Sequence, residues 1–260
     1  MPTAAGLSYV LAEGGSRLIP PVVLLHGAGS SHLFFPSELR RLHGQNVVAV
    51  DLPGHGNSTG ACCQSVSDYG EQILNFLDEL NMLSFIPVGH SLGGAIALEL
   101  ALAAPQRVMA VGVISSGAYL AIPEDLNAAL SGPVILPAAF KRLKQLAFGA
   151  SLPEKVVEKV MKEMQQMRPS VLAGDWQAAV NFDVRSRVGS MRVPLWVAVG
   201  SQDMLTPPSL SHFLSEAVRG AQLSVFKGAS HMLPLEQPEA LSNSLNEFLW
   251  QVNNRDLRSL

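Results

Sequence analysis

The segment Gly89-His90-Ser91-Leu92-Gly93-Gly94 constrains this chain more than any other. An apolar run at 85–88 precedes it, and an alanine- and leucine-rich run at 92–104 follows it. The first reads as a strand buried on both faces, the second as a helix that ends ahead of Pro105. A turn between two such elements is very sharp. Glycine at 89 and at 93 removes side chains that would collide with neighbouring backbone. A serine on that turn sits in a strained conformation that lifts its hydroxyl clear of the sheet. The helix that starts there aims its N–H groups and positive end at developing negative charge. A bare G-x-S-x-G also arises by chance in a chain with 22 glycines, and the flanking strand and helix are what distinguish this one.

The same alternation extends along the chain. Val22–Leu25, 46–50, 108–114, 193–199 and 223–226 read as strands, with Leu7–Ala12 as an N-terminal edge strand. Pro87 is awkward in the strand at 85–88, because it brings no N–H to a ladder. Helices are expected at 67–80, with Ser67 as N-cap and Ile73, Leu74, Leu77 and Leu80 at helical spacing, and at 208–218 and 238–250. Strands alternating with helices imply parallel βαβ units and a mainly parallel, doubly wound α/β sheet. From 119 to 188 the pattern shows no strand and three helices, at 137–148, 153–167 and 171–181. This reads as a helical cap (119–188) inserted into a core domain formed by 1–118 and 189–260, lying over the strand ends where open sheets bind ligands. Met161, Met164 and Met167 fall in the cap, either as helix-packing residues or as an adaptable acyl-pocket lining.

Composition narrows the function classes. With 260 residues, 48% hydrophobic and 15% charged, the chain is long and apolar enough to bury a large core. A net charge of −3 and the absence of a basic run longer than Lys141-Arg142-Leu143-Lys144 argue against nucleic acid. Mean hydropathy is +0.24, yet Glu99, Pro105 and Arg107 interrupt the most apolar stretch, 95–114, so no membrane span is expected. The N-terminus lacks the pattern of a signal peptide, and the adjacent Cys62 and Cys63 are poorly placed to pair with each other. A cytoplasmic protein is the expectation. No cofactor or metal is expected: His26-Gly27-Ala28-Gly29-Ser30-Ser31 lacks the marks of a phosphate loop, and no His-Glu-x-x-His occurs.

A serine hydroxyl needs a base to take its proton. Of the seven histidines, His231 follows the last strand and precedes the last helix, which puts it at the sheet edge where Ser91 lies. His90 adjoins the serine and is expected to point elsewhere. His32, His43 and His212 read as surface or packing residues, and His55 as structural. The loop leaving the strand at 193–199 offers Asp203 to orient the base. Asp51 also ends a strand but precedes the nucleophile, and is assigned to shaping its own loop. The order Ser91, Asp203, His231 then suits acyl transfer. Oxyanion donors are expected from the N–H of Leu92 in the turn and of Ala28 in the loop after Val22–Leu25, each worth about 10²–10³ in rate.

These pieces, with the loop Asp51-Leu52-Pro53-Gly54-His55-Gly56-Asn57-Ser58 and Gly228-Ala229-Ser230-His231, resemble the α/β-hydrolase superfamily along nearly the whole chain. The resemblance implies the α/β-hydrolase fold, a Ser–His–acid triad and a helical cap. By comparison the N-terminal region looks short, so a first strand is expected to be missing. Haloalkane dehalogenases and epoxide hydrolases carry aspartate where Ser91 stands, and meta-cleavage hydrolases a tryptophan where Met232 stands. What remains resembles a carboxylesterase acting on a small-molecule ester. Lactonases, thioesterases, cofactor-free perhydrolases and slow-turnover ligand receptors share the same machinery.

Overall fold

The computed structural model describes residues 1–61, 63–130 and 137–256. Its strands are β1 (Thr3–Ala4), β2 (Leu7–Ala12), β3 (Val22–Leu25), β4 (Val47–Val50), β5 (Ile86–His90), β6 (Val111–Ile114), β7 (Leu195–Gly200) and β8 (Gln222–Phe226). They form one sheet in the order β1-β2-β4-β3-β5-β6-β7-β8. β2 runs antiparallel to both β1 and β4, and the remaining pairs are parallel. The expected α/β sheet is therefore present, with one correction at its start. The first strand is not missing: Thr3 and Ala4 pair with Ser8 and Leu7, and so Leu7–Ala12 is not the edge. A two-residue strand carries no periodicity for a sequence to display.

Helices α1 (Ser37–Arg40), α2 (Val66–Glu79), α3 (Leu92–Ala103), α8 (Pro208–Ala217), α9 (Leu233–Glu236) and α10 (Pro238–Asp256) surround the sheet. Successive strand residues point to opposite faces, so β3 sends Val23 and Leu25 to one core and Val22 and Leu24 to the other. Ile73, Phe76 and Leu77 of α2 with Ile96 and Leu100 of α3 cover the first face. Leu39 of α1 with Leu241, Leu245 and Phe248 of α10 cover the second. α3 is buried almost all round, as its uniform alanine and leucine content requires of a central helix. The cap of α2 is Ser65 rather than Ser67: Ser65 is extended and its hydroxyl accepts from the N–H of Asp68 at 3.1 Å. Pro87 is tolerated because the β5–β6 ladder begins at Val88, leaving only a bridge from Phe85 to Val108 before it.

Between β6 and β7 lie α4 (Glu124–Leu130), α5 (Pro137–Ala147), α6 (Glu154–Gln165) and α7 (Pro169–Asn181). The last three match the expected helices, and α4 adds one. α7 packs against α3 and α4, and Leu143, Leu172 and Trp176 join the second core. Among the described residues no helix is long and apolar enough to cross a membrane. Cys63 is buried, and Cys62 lies outside the described residues.

Candidate active site

The chain passes from β3 outward to β4 and then crosses to β5 on the other side of β3, so the loops leaving β3 and β5 diverge and open a crevice. Ser91 sits at that crevice, directly after β5 and as the N-cap of α3. Its backbone has φ 53° and ψ −119°. A serine holds that positive φ only when its surroundings enforce it. Enforcement is visible on both sides. A Cβ at Gly89 would lie 1.9 Å from the carbonyl oxygen of Gly93, and one at Gly93 would lie 2.0 Å from that of Leu25. The Ser91 N–H is tied to the Ile114 carbonyl of β6 at 2.9 Å. The N–H of Leu92 belongs to the first turn of α3, where helices have no internal acceptor to offer.

His231 and Asp203 arrive on the loops after β8 and β7. These loops approach so closely that a Cβ at Gly200 would lie 2.4 Å from the carbonyl oxygens of Ala229 and Ser230. Both side chains are buried, and His231 Nδ1 lies 3.0 Å from Asp203 Oδ2. Asp203 Oδ1 accepts from the N–H groups of Leu205 at 3.0 Å and Thr206 at 2.8 Å. Burial opposes charge on Asp203, but the neighbouring His231 and the Thr206 donors outweigh it and hold this carboxyl below the usual range. The Thr206 hydroxyl lies 2.8 Å from Asp203 Oδ2, 2.9 Å from the Ser115 carbonyl and 3.0 Å from His231 Nδ1. With its single proton donated to one of those oxygens, it can accept from the Nδ1–H that also faces Asp203. Sequence reasoning missed Thr206; its signal is a hydroxyl three residues after a loop aspartate, too common to stand out.

Ser91, His231, Gly27, Ala28 and Ser30 line one cleft, whose other walls are Phe34, His90, Leu143, Val160, Met164, Trp176, Leu205 and Met232. The cleft is largely apolar, and Leu143, Val160, Met164 and Trp176 come from the helical insertion. Of the three methionines singled out above, only Met164 reaches it; Met161 and Met167 border separate surface grooves. The sequence-derived residues Ser91, His231 and Ala28 thus meet at one cleft, with Asp203 behind His231. The insertion also holds the histidine loop, since the Ala147 carbonyl at the end of α5 accepts from the Ser230 hydroxyl at 3.0 Å and the Met232 N–H at 3.3 Å.

One histidine departs from expectation. His90 does not point away: its ring lies 4.8 Å from that of His231, and its Nε2–H donates to the His231 carbonyl at 2.9 Å. Side chains alternate along a strand, and this one alternates into the histidine loop rather than out of it. Burial, reinforced by His231, lowers the His90 pKa to about 3, so the ring is neutral. Of the two readings offered for His32, surface or packing, the structure shows the second: it is buried, with Nδ1 2.8 Å from Asp51 Oδ1. Asp51 does shape its loop, accepting also from the backbone N–H of His32 at 2.8 Å and of Asn57 at 3.1 Å.

Known proteins carry the same plan. A pimeloyl-[acyl-carrier protein] methyl ester esterase of Neisseria meningitidis serogroup C is 28% identical over 244 residues, covering 89% of this chain and 94% of its own. A solved thermophilic esterase shares 28% identity with a TM-score of 0.80, over 95% of this chain and 98% of that one. The enol-lactonase of Burkholderia xenovorans LB400 overlays with a TM-score of 0.83 at 22% identity, over 94% and 96% of the two chains, a likeness of fold alone. The model of the alpha/beta hydrolase family matches residues 22–243. That match spans both halves of the sheet and the insertion between them, and the chain belongs to the alpha/beta hydrolase family.

Proposed function

We propose that this chain is a carboxylic ester hydrolase that forms an acyl-enzyme on Ser91 and takes esters of small to medium size. One observation carries the reading: a strained serine at a helix N-terminus shares an apolar cleft with a histidine whose other nitrogen is fixed on a buried aspartate. In this mechanism His231 Nε2 takes the Ser91 proton as the hydroxyl oxygen attacks the ester carbonyl. The N–H groups of Leu92 and Ala28 stabilise the tetrahedral oxyanion. His231 then protonates the departing alkoxide, and water repeats the sequence to free the acid. Asp203 holds the proton on Nδ1, which leaves Nε2 free to act as base, and stabilises the imidazolium that forms. The segment 119–188 acts as a cap on the core made of 1–118 and 189–260, and its apolar side chains receive the acyl group. The apolar lining of the cleft suits an acyl or aromatic ester of modest size.

The test is hydrolysis of p-nitrophenyl esters from acetate to laurate by wild type and by Ser91→Ala. Turnover that peaks at short to medium chains and vanishes in the variant is the expected result. Full turnover by Ser91→Ala would remove the serine from the chemistry. No turnover by a folded wild type would move the assignment to lactones and thioesters, and then to a ligand receptor.

A further inference from the structure

Helix α7 delivers a carboxyl group to a place that ester hydrolysis by Ser91, His231 and Asp203 leaves unexplained. Asp175 is fully buried, and its partners lie outside the insertion. Its Oδ2 accepts from the Gly29 N–H at 2.7 Å and faces His55 Nε2 at 2.8 Å, while Oδ1 accepts from the Tyr69 hydroxyl at 2.5 Å. Gly29 follows Ala28 and has φ +64°. A Cβ there would lie 2.8 Å from Leu172 Cδ1, so α7 presses on this loop as well as bonding to it.

The consequence lies in the peptide units. The Ala28 N–H shares a rigid plane with the Gly27 carbonyl. That carbonyl accepts from His26 Nδ1–H at 2.8 Å. The other nitrogen of His26 accepts from the Leu52 N–H at 3.0 Å, which fixes the tautomer. The next plane, carrying the Gly29 N–H, is held by Asp175. The Ala28 N–H is thus presented between two anchors, one built into the core and one supplied by the insertion. The same helix places Trp176 in the wall of the cleft.

We infer that Asp175 is a positioning residue for the oxyanion site: it ties the docking of the helical insertion to the angle at which the Ala28 N–H meets the developing oxyanion. The inference rests on the proposed acyl transfer at Ser91. It requires an acceptor at this position more than a charge. Asparagine can keep an oxygen toward Gly29 and turn its amide toward the Tyr69 oxygen; alanine can do neither.

The experiment compares wild type, Asp175→Ala, Asp175→Asn and Ser91→Ala on p-nitrophenyl acetate, with inhibition by a trifluoromethyl ketone, which forms a tetrahedral adduct on a serine. Asp175→Ala is expected to lower kcat about 10- to 100-fold with KM within about threefold, the signature of a displaced transition-state donor. Its inhibition constant for the ketone rises in parallel, and Asp175→Asn recovers most of both losses. A folded Asp175→Ala with wild-type kcat and ketone affinity, only its Tm lowered, would overturn the inference while an inactive Ser91→Ala left the serine mechanism standing. Turnover by Ser91→Ala would overturn both. Should Asp175→Ala not fold, Tyr69→Phe removes the donor that orients the same carboxylate through Oδ1, with a several-fold fall in kcat at constant KM expected and an unchanged kcat overturning the inference.

Discussion

A carboxylate that orients an imidazole has to be held still itself. The N–H groups of Leu205 and Thr206 hold one oxygen of Asp203, and the Thr206 hydroxyl and His231 Nδ1 meet at the other. Asp203→Asn keeps the shape and changes the proton inventory. An amide nitrogen facing His231 donates to Nδ1, which drives the ring proton to Nε2 and leaves no lone pair for the Ser91 hydroxyl. The expected loss in kcat is about 10³–10⁴-fold with little change in KM, measured as steady-state ester hydrolysis at neutral pH. A loss below about tenfold would mean that another acid orients the base. Thr206→Val leaves the carboxylate in place and belongs to a milder class.

At the scale of elements, the parts most legible in the sequence are those with one strong physical demand. Strands buried on both faces announce themselves as β-branched runs, and α3 as an apolar helix between the turn at Gly89 and Pro105. Ser91, Asp203 and Ala28 are legible because each lies in a loop or turn that leaves such a strand, and His231 because it lies between the last strand and the last helices. What escapes has competing local solutions. Ser65 and Ser67 both stand at the start of the α2 pattern, and only the backbone decides that Ser65 is the cap. β1 is too short to alternate, and α4, at seven residues, is too short to show a sustained helical period. The side of a strand that His90 faces, and the reach of Asp175 from a helix to a distant loop, are tertiary facts with no local signal. The insertion carries its own prediction. Leu143 of α5 is buried and lines the cleft, so Leu143→Ala enlarges the space opposite Ser91. Its stability cost is about 2–5 kcal/mol, and the chain-length optimum for p-nitrophenyl esters is expected to move toward longer acyl groups. An optimum that stayed in place while Tm fell would assign Leu143 to packing alone.

For the whole molecule, buried histidines set the response to pH. His26 and His90 both have pKa values lowered to about 3, each chiefly by burial and then by a neighbouring ring, His55 for the first and His231 for the second. In the unfolded chain both titrate near the ordinary 6.5. Above that pH neither state binds the proton and the rings cost nothing. Below it the unfolded chain takes up protons that the folded one refuses. Stability therefore falls with falling pH across the window from 6.5 to about 3. Each ring contributes roughly 1.4 kcal/mol per pH unit well inside that window. His55 has the opposite sign. Burial alone would lower its pKa, but the charge and hydrogen bond of Asp175 outweigh it and raise the value above 6.5. Its stabilisation is full below 6.5 and is lost as pH rises through the higher folded value. The two effects meet near 6.5, with the two refusing rings acting on the acid side and the accepting ring on the alkaline side. Thermal unfolding followed from about pH 8.5 down to about pH 4.5 is therefore expected to show a shallow maximum in Tm at about 6.5 and a steep acid limb. That limb should set in well above the range where Asp203, whose stabilising contribution is lost only as pH falls below 3.8, begins to protonate. A Tm that stayed level from about pH 6.5 to about pH 5 would mean that both rings accept protons in the folded protein, and the close packing of His90 against His231 could then not be the neutral contact described here.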